Sequence, residues 1–177
     1  MVLLDSIGAA AQRESFAELK GRSRSMINEV AWQLEHSVET DASPSFAWGY
    51  LTDVSNWDDP PAQFALDGPF AAGSQGTTLM PDQEPWRWRI SDVQPGQSYT
   101  IETQLEGAML SFEWCFGAVS DGRTRLTQRI VLSGNNAAAY AQQVEASFGA
   151  NLQGGMKKIA ATIAKAEARA RTAIDIA

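Results

Sequence analysis

The chain has 177 residues, of which 44% are hydrophobic, and this length and composition fit one soluble domain with a sizeable core. The formal net charge of -7, with scattered Lys and Arg, argues against a nucleic-acid partner. A single Cys and a single His exclude an intrachain disulfide and a Cys- or His-rich metal site, so a metal site would need carboxylates. No metal and no cofactor is expected. No segment approaches the roughly 18 apolar residues of a membrane span and none has the pattern of a signal peptide, so we expect a cytoplasmic protein.

An N-terminal helical arm or extension is predicted for residues 1–25. Leu3 and Ile7 recur there at helical spacing, and the stretch Gly21–Ser25 has the composition of a linker. We expect residues 26–177 to form one further unit, a single domain.

A strand begins near Trp32, where the hydrophobic pattern changes to a period of two. Alternate residues share one face of it: Trp32, Leu34, His36 and Val38. Ser43 then suits a helix N-cap and Pro44 a first turn, which predicts a short helix. A second short helical turn is expected at Asp53–Trp57, before Pro60 ends it.

Six more strands are predicted between residues 63 and 132, separated by turns rich in Gly, Pro and Asp. They are Gln63–Leu66, Gly76–Met80, Trp86–Val93, Ser98–Leu105, Met109–Val119 and Thr124–Leu132. The short turns indicate antiparallel hairpins, because a parallel pair would need a crossover of a dozen or more residues.

A long C-terminal helix is predicted from about Asn135 to Arg169, near 50 Å at the usual rise per residue. Its apolar stripe has spacings of three or four: Tyr140, Val144, Phe148, Leu152, Met156, Ile159 and Ile163. Such a stripe needs a large apolar surface to lie on, and the predicted sheet is the surface available.

The order of these elements resembles the START-related, birch-pollen-allergen-like superfamily (SRPBCC), which includes polyketide cyclase and dehydrase-like proteins. The segments Val38–Pro44 and Leu51–Trp57 look like the family's opening strand and helix, and Gly68–Phe70 with Gly73 looks like its glycine-bearing turn. Thr124–Thr127 looks like its last strand. The resemblance implies an α+β helix-grip fold: a seven-stranded curved antiparallel sheet around a long C-terminal helix, with two short helices after the first strand.

The resemblance implies a cavity between the concave face of the sheet and the helix. Strand and helix periodicity then predict its ligand-binding lining: Trp32, Leu34, His36, Phe112, Trp114, Phe148, Leu152 and Met156. His36 is the titratable group on an apolar face. It is interpreted either as a core histidine with a hydrogen-bond partner or as a polar anchor for a ligand.

Other polar residues are assigned to the outer face of the sheet by the same alternation. Arg87 and Arg89 alternate with tryptophans and are expected in solvent, with an acid-binding role inside the cavity as the alternative. Glu102 and Glu113 are expected outside as well. Nucleophilic catalysis by Cys115 is not expected, because no second histidine is available to pair with it.

The superfamily includes carriers, receptors and enzymes, so the fold alone does not select one function. The hypothesis is binding or carriage of a small hydrophobic or aromatic molecule, lipids included. The alternatives are a polyketide cyclase or dehydratase, with His36 as its acid or base, and a protein-interaction module without a ligand. A pocket would count against the interaction module, and a second inward-facing acid near His36 would favour the enzyme.

Overall fold

The computed structural model describes residues 30–57 and 59–175, so the arm predicted for residues 1–25 lies outside the described residues. The strands are β1 (Val30–Thr40), β2 (Gln63–Asp67), β3 (Gln75–Leu79), β4 (Trp86–Gln94), β5 (Ser98–Leu105), β6 (Ala108–Ala118) and β7 (Thr124–Ser133). The α-helices are α1 (Pro44–Thr52), α2 (Ala141–Phe148) and α3 (Leu152–Asp175), and a short 3₁₀ helix, Val54–Asn56, follows α1.

The strands form one antiparallel sheet in the order β1-β7-β6-β5-β4-β3-β2. Strands β1 and β2 are therefore at opposite edges, although α1 and the 3₁₀ helix alone separate them in sequence. The sheet, the long helix and the two short helices after β1 confirm the α+β helix-grip fold.

Residues alternate between the two faces of the sheet as their period of two predicts. In β4, Trp86 and Trp88 are buried and Arg87 and Arg89 are exposed, so the arginines lie outside the core. On the outer face Arg89 pairs with Glu102 at 2.8 Å. A second outer pair joins Arg129 of β7 to Glu113 of β6 at 2.7 Å, which accounts for both carboxylates predicted to be outside. Such partly exposed pairs contribute little to stability.

Helix α1 begins where the sequence places its cap. The Ser43 hydroxyl accepts a hydrogen bond from the Phe46 amide at 3.4 Å, and Pro44 occupies the first turn. Glu167 of α3 reinforces this end, because its carboxylate accepts hydrogen bonds from the Ser43 amide at 3.0 Å and from the Ser43 hydroxyl at 2.7 Å. The short helix is thereby fixed to the long one.

The prediction of one continuous helix from Asn135 to Arg169 was wrong. The chain forms α2, turns at residues 149–151, and continues as α3, whose 24 residues span about 36 Å. The Asn151 side chain donates to the Ser147 carbonyl at 3.1 Å, which satisfies a group that the end of α2 leaves without its helical partner. Glu145 of α2 meanwhile accepts a hydrogen bond from the Trp32 indole at 2.6 Å, holding α2 against β1.

The apolar stripe of the C-terminal segment lies in the core. Val144, Phe148, Leu152, Met156 and Ile163 are all buried, as the helical spacing predicted. Helix α3 packs against β1, where the Thr40 hydroxyl donates to the Ala160 carbonyl at 2.8 Å. The stripe therefore anchors the helix to one side of the sheet, and the adjacent face of α3 is left to border the remaining space.

Candidate functional site

A cavity of about 650 Å³ lies between the inner face of the sheet, the segment after α1 and one face of α3. Strands β4, β5 and β6 supply one wall, with Trp86, Trp88, Tyr99, Ile101, Thr103, Phe112 and Trp114. The residues from α1 to the start of β2 supply a second wall, with Tyr50, Leu51, Asn56, Trp57, Asp59 and Pro60. Helix α3 and the residue before it supply Asn151, Gly155, Lys158, Ile159 and Thr162. The volume is in the range of small-molecule sites.

Two tryptophans of β4 have their indole N–H groups satisfied by neighbouring threonines. Trp86 donates to the Thr103 hydroxyl at 3.0 Å, and Trp88 donates to the Thr78 hydroxyl at 3.1 Å. All four residues are buried, so these bonds prevent the loss of free energy that an unpaired buried N–H would cause. The indoles therefore present apolar ring surface to the cavity.

Gly76 makes room for the Trp88 ring. The two residues are paired across β3 and β4, and a Cβ atom built on Gly76 would lie 2.1 Å from the Trp88 ring. Since real Cβ atoms do not approach that closely, glycine at this position allows the indole to lie flat across the neighbouring strand.

The wall after α1 is held by hydrogen bonds to the helix's own backbone. Trp57 donates from its indole to the Leu51 carbonyl at 2.9 Å, and the Asn56 side chain donates to the Tyr50 carbonyl at 3.1 Å. The Trp57 ring lies 5.5 Å from that of Trp88, which joins this segment to the sheet. The aromatic wall is thus continuous between the two elements.

Tyr99 occupies the aromatic centre of the sheet's inner face. Its ring contacts Phe70 at 5.0 Å, Phe116 at 5.9 Å and Trp114 at 6.2 Å between centroids. Burial raises the pKa of Tyr99 well above its ordinary value, because the phenolate would be desolvated. The hydroxyl therefore stays protonated and neutral at any physiological pH.

The two charged lining residues, Lys158 and Asp59, and two of the polar ones are exposed or half-buried. Asn151, Lys158 and Thr162 are exposed on one side of the cavity, and Asp59 is half-buried on the other. Within the part of the chain that the structure describes, Lys158 and Asp59 form no ion pair. The buried part of the lining is thus mainly aromatic and apolar and carries no charged side chain, while the charged lining residues are those more open to solvent.

The structure brings two of the predicted lining residues, Phe112 and Trp114, into the cavity wall. Phe148, Leu152 and Met156 lie in the core between α2, α3 and the sheet. The three predicted residues of β1 are half-buried and do not border this cavity: Trp32, Leu34 and His36. A role in ligand binding for the eight residues stays a prediction.

His36 lies in a cross-strand row that reaches the cavity. It pairs with Gln128, Gln128 with Trp114, and Trp114 with Tyr99, so all four share the inner face of the sheet. Gln128 is 3% exposed. His36 is therefore two strands away from the nearest cavity residue of its row, and it does not border the cavity itself.

Sequence reasoning missed the second wall and the cavity face of α3. Ile159 belongs to the predicted apolar stripe, but the other α3 residues of the cavity wall, Gly155, Lys158 and Thr162, lie beside the stripe. These residues are small or polar, a pattern that is typical of a solvent-exposed surface. For the segment after α1, a signal was present: Trp57 and Tyr50 are large aromatic residues close to a turn, where a surface role is unusual.

The fold and the cavity together define a helix-grip protein with an internal apolar pocket. The chain belongs to the family described as polyketide cyclase / dehydrase and lipid transport, whose model matches residues 31–164. No curated protein sequence matches the chain. The suspected SRPBCC, birch-pollen-allergen-like relationship is confirmed.

Solved structures of the same fold include the ZhuI aromatase/cyclase from Streptomyces sp. R1128, at 16% identity and a TM-score of 0.59, covering 75% of this chain and 93% of that one. Norcoclaurine synthase from Thalictrum flavum, in complex with dopamine and hydroxybenzaldehyde, is 12% identical with a TM-score of 0.60. The match covers 81% of this chain and 94% of the synthase chain. Ara h 8.0201 is 16% identical with a TM-score of 0.57, and the match covers 75% of this chain and 97% of the Ara h 8.0201 chain. At these identities the likeness extends to the fold alone.

Membrane-spanning and metal-binding features are absent from the described residues. No helix among them is long and apolar enough to cross a membrane. No group of three or more His, Cys, Asp or Glu side chains in residues 30–57 and 59–175 is arranged to hold a metal ion. Cys115 is exposed on the outer face of β6, away from the cavity.

Proposed function

We propose that the protein binds a small hydrophobic or aromatic molecule in the cavity and carries it. The observation on which this proposal depends is the aromatic lining on two of the three walls around about 650 Å³ of space. Trp86 and Trp88 have their polar atoms already satisfied by threonines, so they favour an apolar or aromatic body over a polar one.

A cyclase or dehydratase is the enzymatic alternative, and the similar ZhuI protein is named as an aromatase/cyclase. An acid–base enzyme needs a group that can exchange a proton within reach of the ligand. Among the described lining residues the carboxylate and the amine, Asp59 and Lys158, are more open to solvent than the aromatic lining, and His36 is outside the wall. Binding is therefore better supported than catalysis, and the presence of a cavity disfavours an interaction module without a ligand.

Native mass spectrometry of protein purified from its host tests the carrier proposal directly. We expect a co-purified small molecule whose mass disappears on denaturation. Isothermal titration calorimetry with 2-naphthol, a probe small enough for the cavity, provides an independent measurement. We expect saturable binding with one molecule per chain.

A cavity-filling variant locates the binding. Ile159→Trp places a large ring into the cavity from α3 and should weaken 2-naphthol binding at least about tenfold, because the ring occupies the space. Ala161→Trp, on the exposed face of the same helix, is the matched control and should leave the affinity unchanged. Equal affinities for both variants, or no binding and no co-purified molecule, would refute the proposal.

A further inference from the structure

The hydroxyl of Tyr99 is a buried polar group for which the protein supplies no partner. Tyr99 is 2% exposed, and within residues 30–57 and 59–175 no group forms a hydrogen bond with its hydroxyl. Every side-chain nitrogen or oxygen in that part of the chain that is fully screened from solvent does have a partner. The Tyr99 hydroxyl must therefore border open space, and the open space that Tyr99 lines is the cavity.

Packing explains the ring of Tyr99 but not its oxygen. The ring contacts with Phe70, Trp114 and Phe116 would be equally available to a phenylalanine. A nearly buried hydroxyl without a protein partner depends for its hydrogen bonds on whatever occupies the cavity. A ligand atom that accepts or donates a hydrogen bond would supply one.

The neighbouring indole N–H groups of the sheet wall already have hydrogen-bond partners within the protein, so they need none from a ligand. The indoles of Trp86 and Trp88 already donate to Thr103 and Thr78. Tyr99 is therefore the position on this wall where a ligand oxygen gains a hydrogen bond that the protein does not make by itself. As a neutral phenol it can donate to a carbonyl or ether oxygen and accept from a hydroxyl.

We propose, as an extension of the binding function proposed above, that the ligand is an oxygenated aromatic molecule, a phenol or an aryl ketone, whose oxygen forms a hydrogen bond with the Tyr99 hydroxyl. The aromatic body packs against the indoles of the wall. The hydrogen bond to its oxygen makes this molecule bind more tightly than hydrocarbons and acyl chains of similar volume. Tyr99 is thus a residue that determines specificity.

The test is a double-mutant cycle between protein and ligand hydroxyl groups. Dissociation constants of 2-naphthol and of 2-methylnaphthalene, which has a methyl group in place of the hydroxyl, are measured by isothermal titration calorimetry for the wild type and for Tyr99→Phe. We expect the ratio of the two constants to shift by about fivefold against 2-naphthol in the variant, the effect of one neutral hydrogen bond. Tyr99→Phe should melt at the same or a higher temperature, because it loses an unpartnered hydroxyl.

Tyr140→Phe is the matched control. The Tyr140 hydroxyl donates to the Glu106 carbonyl at 3.3 Å outside the cavity, so its removal should leave the ratio unchanged. If both compounds bind but Tyr99→Phe leaves their ratio unchanged, the role of Tyr99 is refuted while the binding function stands. If neither compound binds the wild type and no molecule co-purifies, the binding function fails and this inference fails with it.

Discussion

Trp88 depends on two small residues for its place in the cavity wall. Thr78 accepts its indole hydrogen bond, and Gly76 leaves the space that the ring occupies. Both residues belong to β3, a strand of five residues near the edge of the sheet. The shape of the aromatic wall is therefore determined by the neighbouring strand as well as by the tryptophan itself.

Replacing Gly76 by Ala should displace the Trp88 ring. The added Cβ would lie within 2.4 Å of three ring carbons, so the indole has to move and its bond to Thr78 is lost. We expect a loss of about 1 to 3 kcal/mol in the free energy of unfolding, measured by urea denaturation, and weaker 2-naphthol binding.

Gly49→Ala provides the comparison for that variant. Gly49 lies in α1, and no atom lies within 4 Å of the position that an added methyl group would occupy, so alanine there should stabilise the helix by up to about 1 kcal/mol. A Gly76→Ala protein as stable as the wild type would show that Trp88 has another position of equal free energy.

Alternation along β4 was enough to predict which way its residues point. Trp86 and Trp88 face inward and Arg87 and Arg89 outward, because buried guanidinium groups without partners are too unfavourable. The position of Gly76 under Trp88 could not be predicted in this way. It depends on the pairing register of β3 and β4, which the pattern of a single strand does not contain.

At the scale of elements, Glu167 connects the start of α1 to the middle of α3. Burial by itself would raise the pKa of Glu167, but hydrogen bonds from Ser43 and the nearby charge of Arg171 outweigh it and hold the pKa below 4.5. The residue is 7% exposed. The charged form is therefore the form that stabilises the fold.

Glu167→Gln should lower the free energy of unfolding at pH 7 by about 1 kcal/mol, as loss of a helix cap does. Since the pKa is lower in the folded chain than in the unfolded one, the stabilisation is complete above pH 4.5 and is lost as pH falls through the folded value. The difference between wild type and variant should therefore shrink below pH 4.5, which urea denaturation at several pH values measures.

Glu84→Gln, an exposed carboxylate in the turn before β4, is the control and should change stability little at any pH. A Glu167→Gln protein that keeps a constant difference from the wild type from neutral to strongly acidic pH would contradict the assignment.

The strands were predictable from sequence because turn residues bound them and their periods match their burial. The end of α2 could not be predicted from the sequence. Helical spacing continues from Phe148 to Leu152, but the turn depends on the Asn151 side chain bonding to Ser147 and on α2 being held to β1 by Trp32. The cavity face of α3 was missed for a related reason: local pattern does not reveal which side of a helix a distant segment leaves uncovered.

For the whole molecule, we propose that residues 26–177 form a single domain and that residues 1–25 are an N-terminal helical arm or extension. The described cavity is lined by residues from Tyr50 onward, and the family match begins at residue 31. A cytoplasmic location and the lack of a nucleic-acid partner likewise remain predictions from composition.

Deletion of residues 1–25 should leave one cooperative unfolding transition and a 2-naphthol dissociation constant within about twofold of the full chain, because β1 retains its whole pairing with β7. Circular dichroism in urea and calorimetry measure the two quantities. A broadened transition or a tenfold loss of affinity would show that the arm belongs to the domain.

The pairing of β1 with β7 has a consequence for synthesis of the chain. The first strand, β1, cannot pair with β7 until the last strand has been synthesised, and α3, which lines the cavity, is synthesised later still. Until then the tryptophans of β4 and β6 are open to water and to other chains, a state that favours aggregation. A stop codon or frameshift before α3 should therefore yield insoluble protein instead of a shortened folded chain.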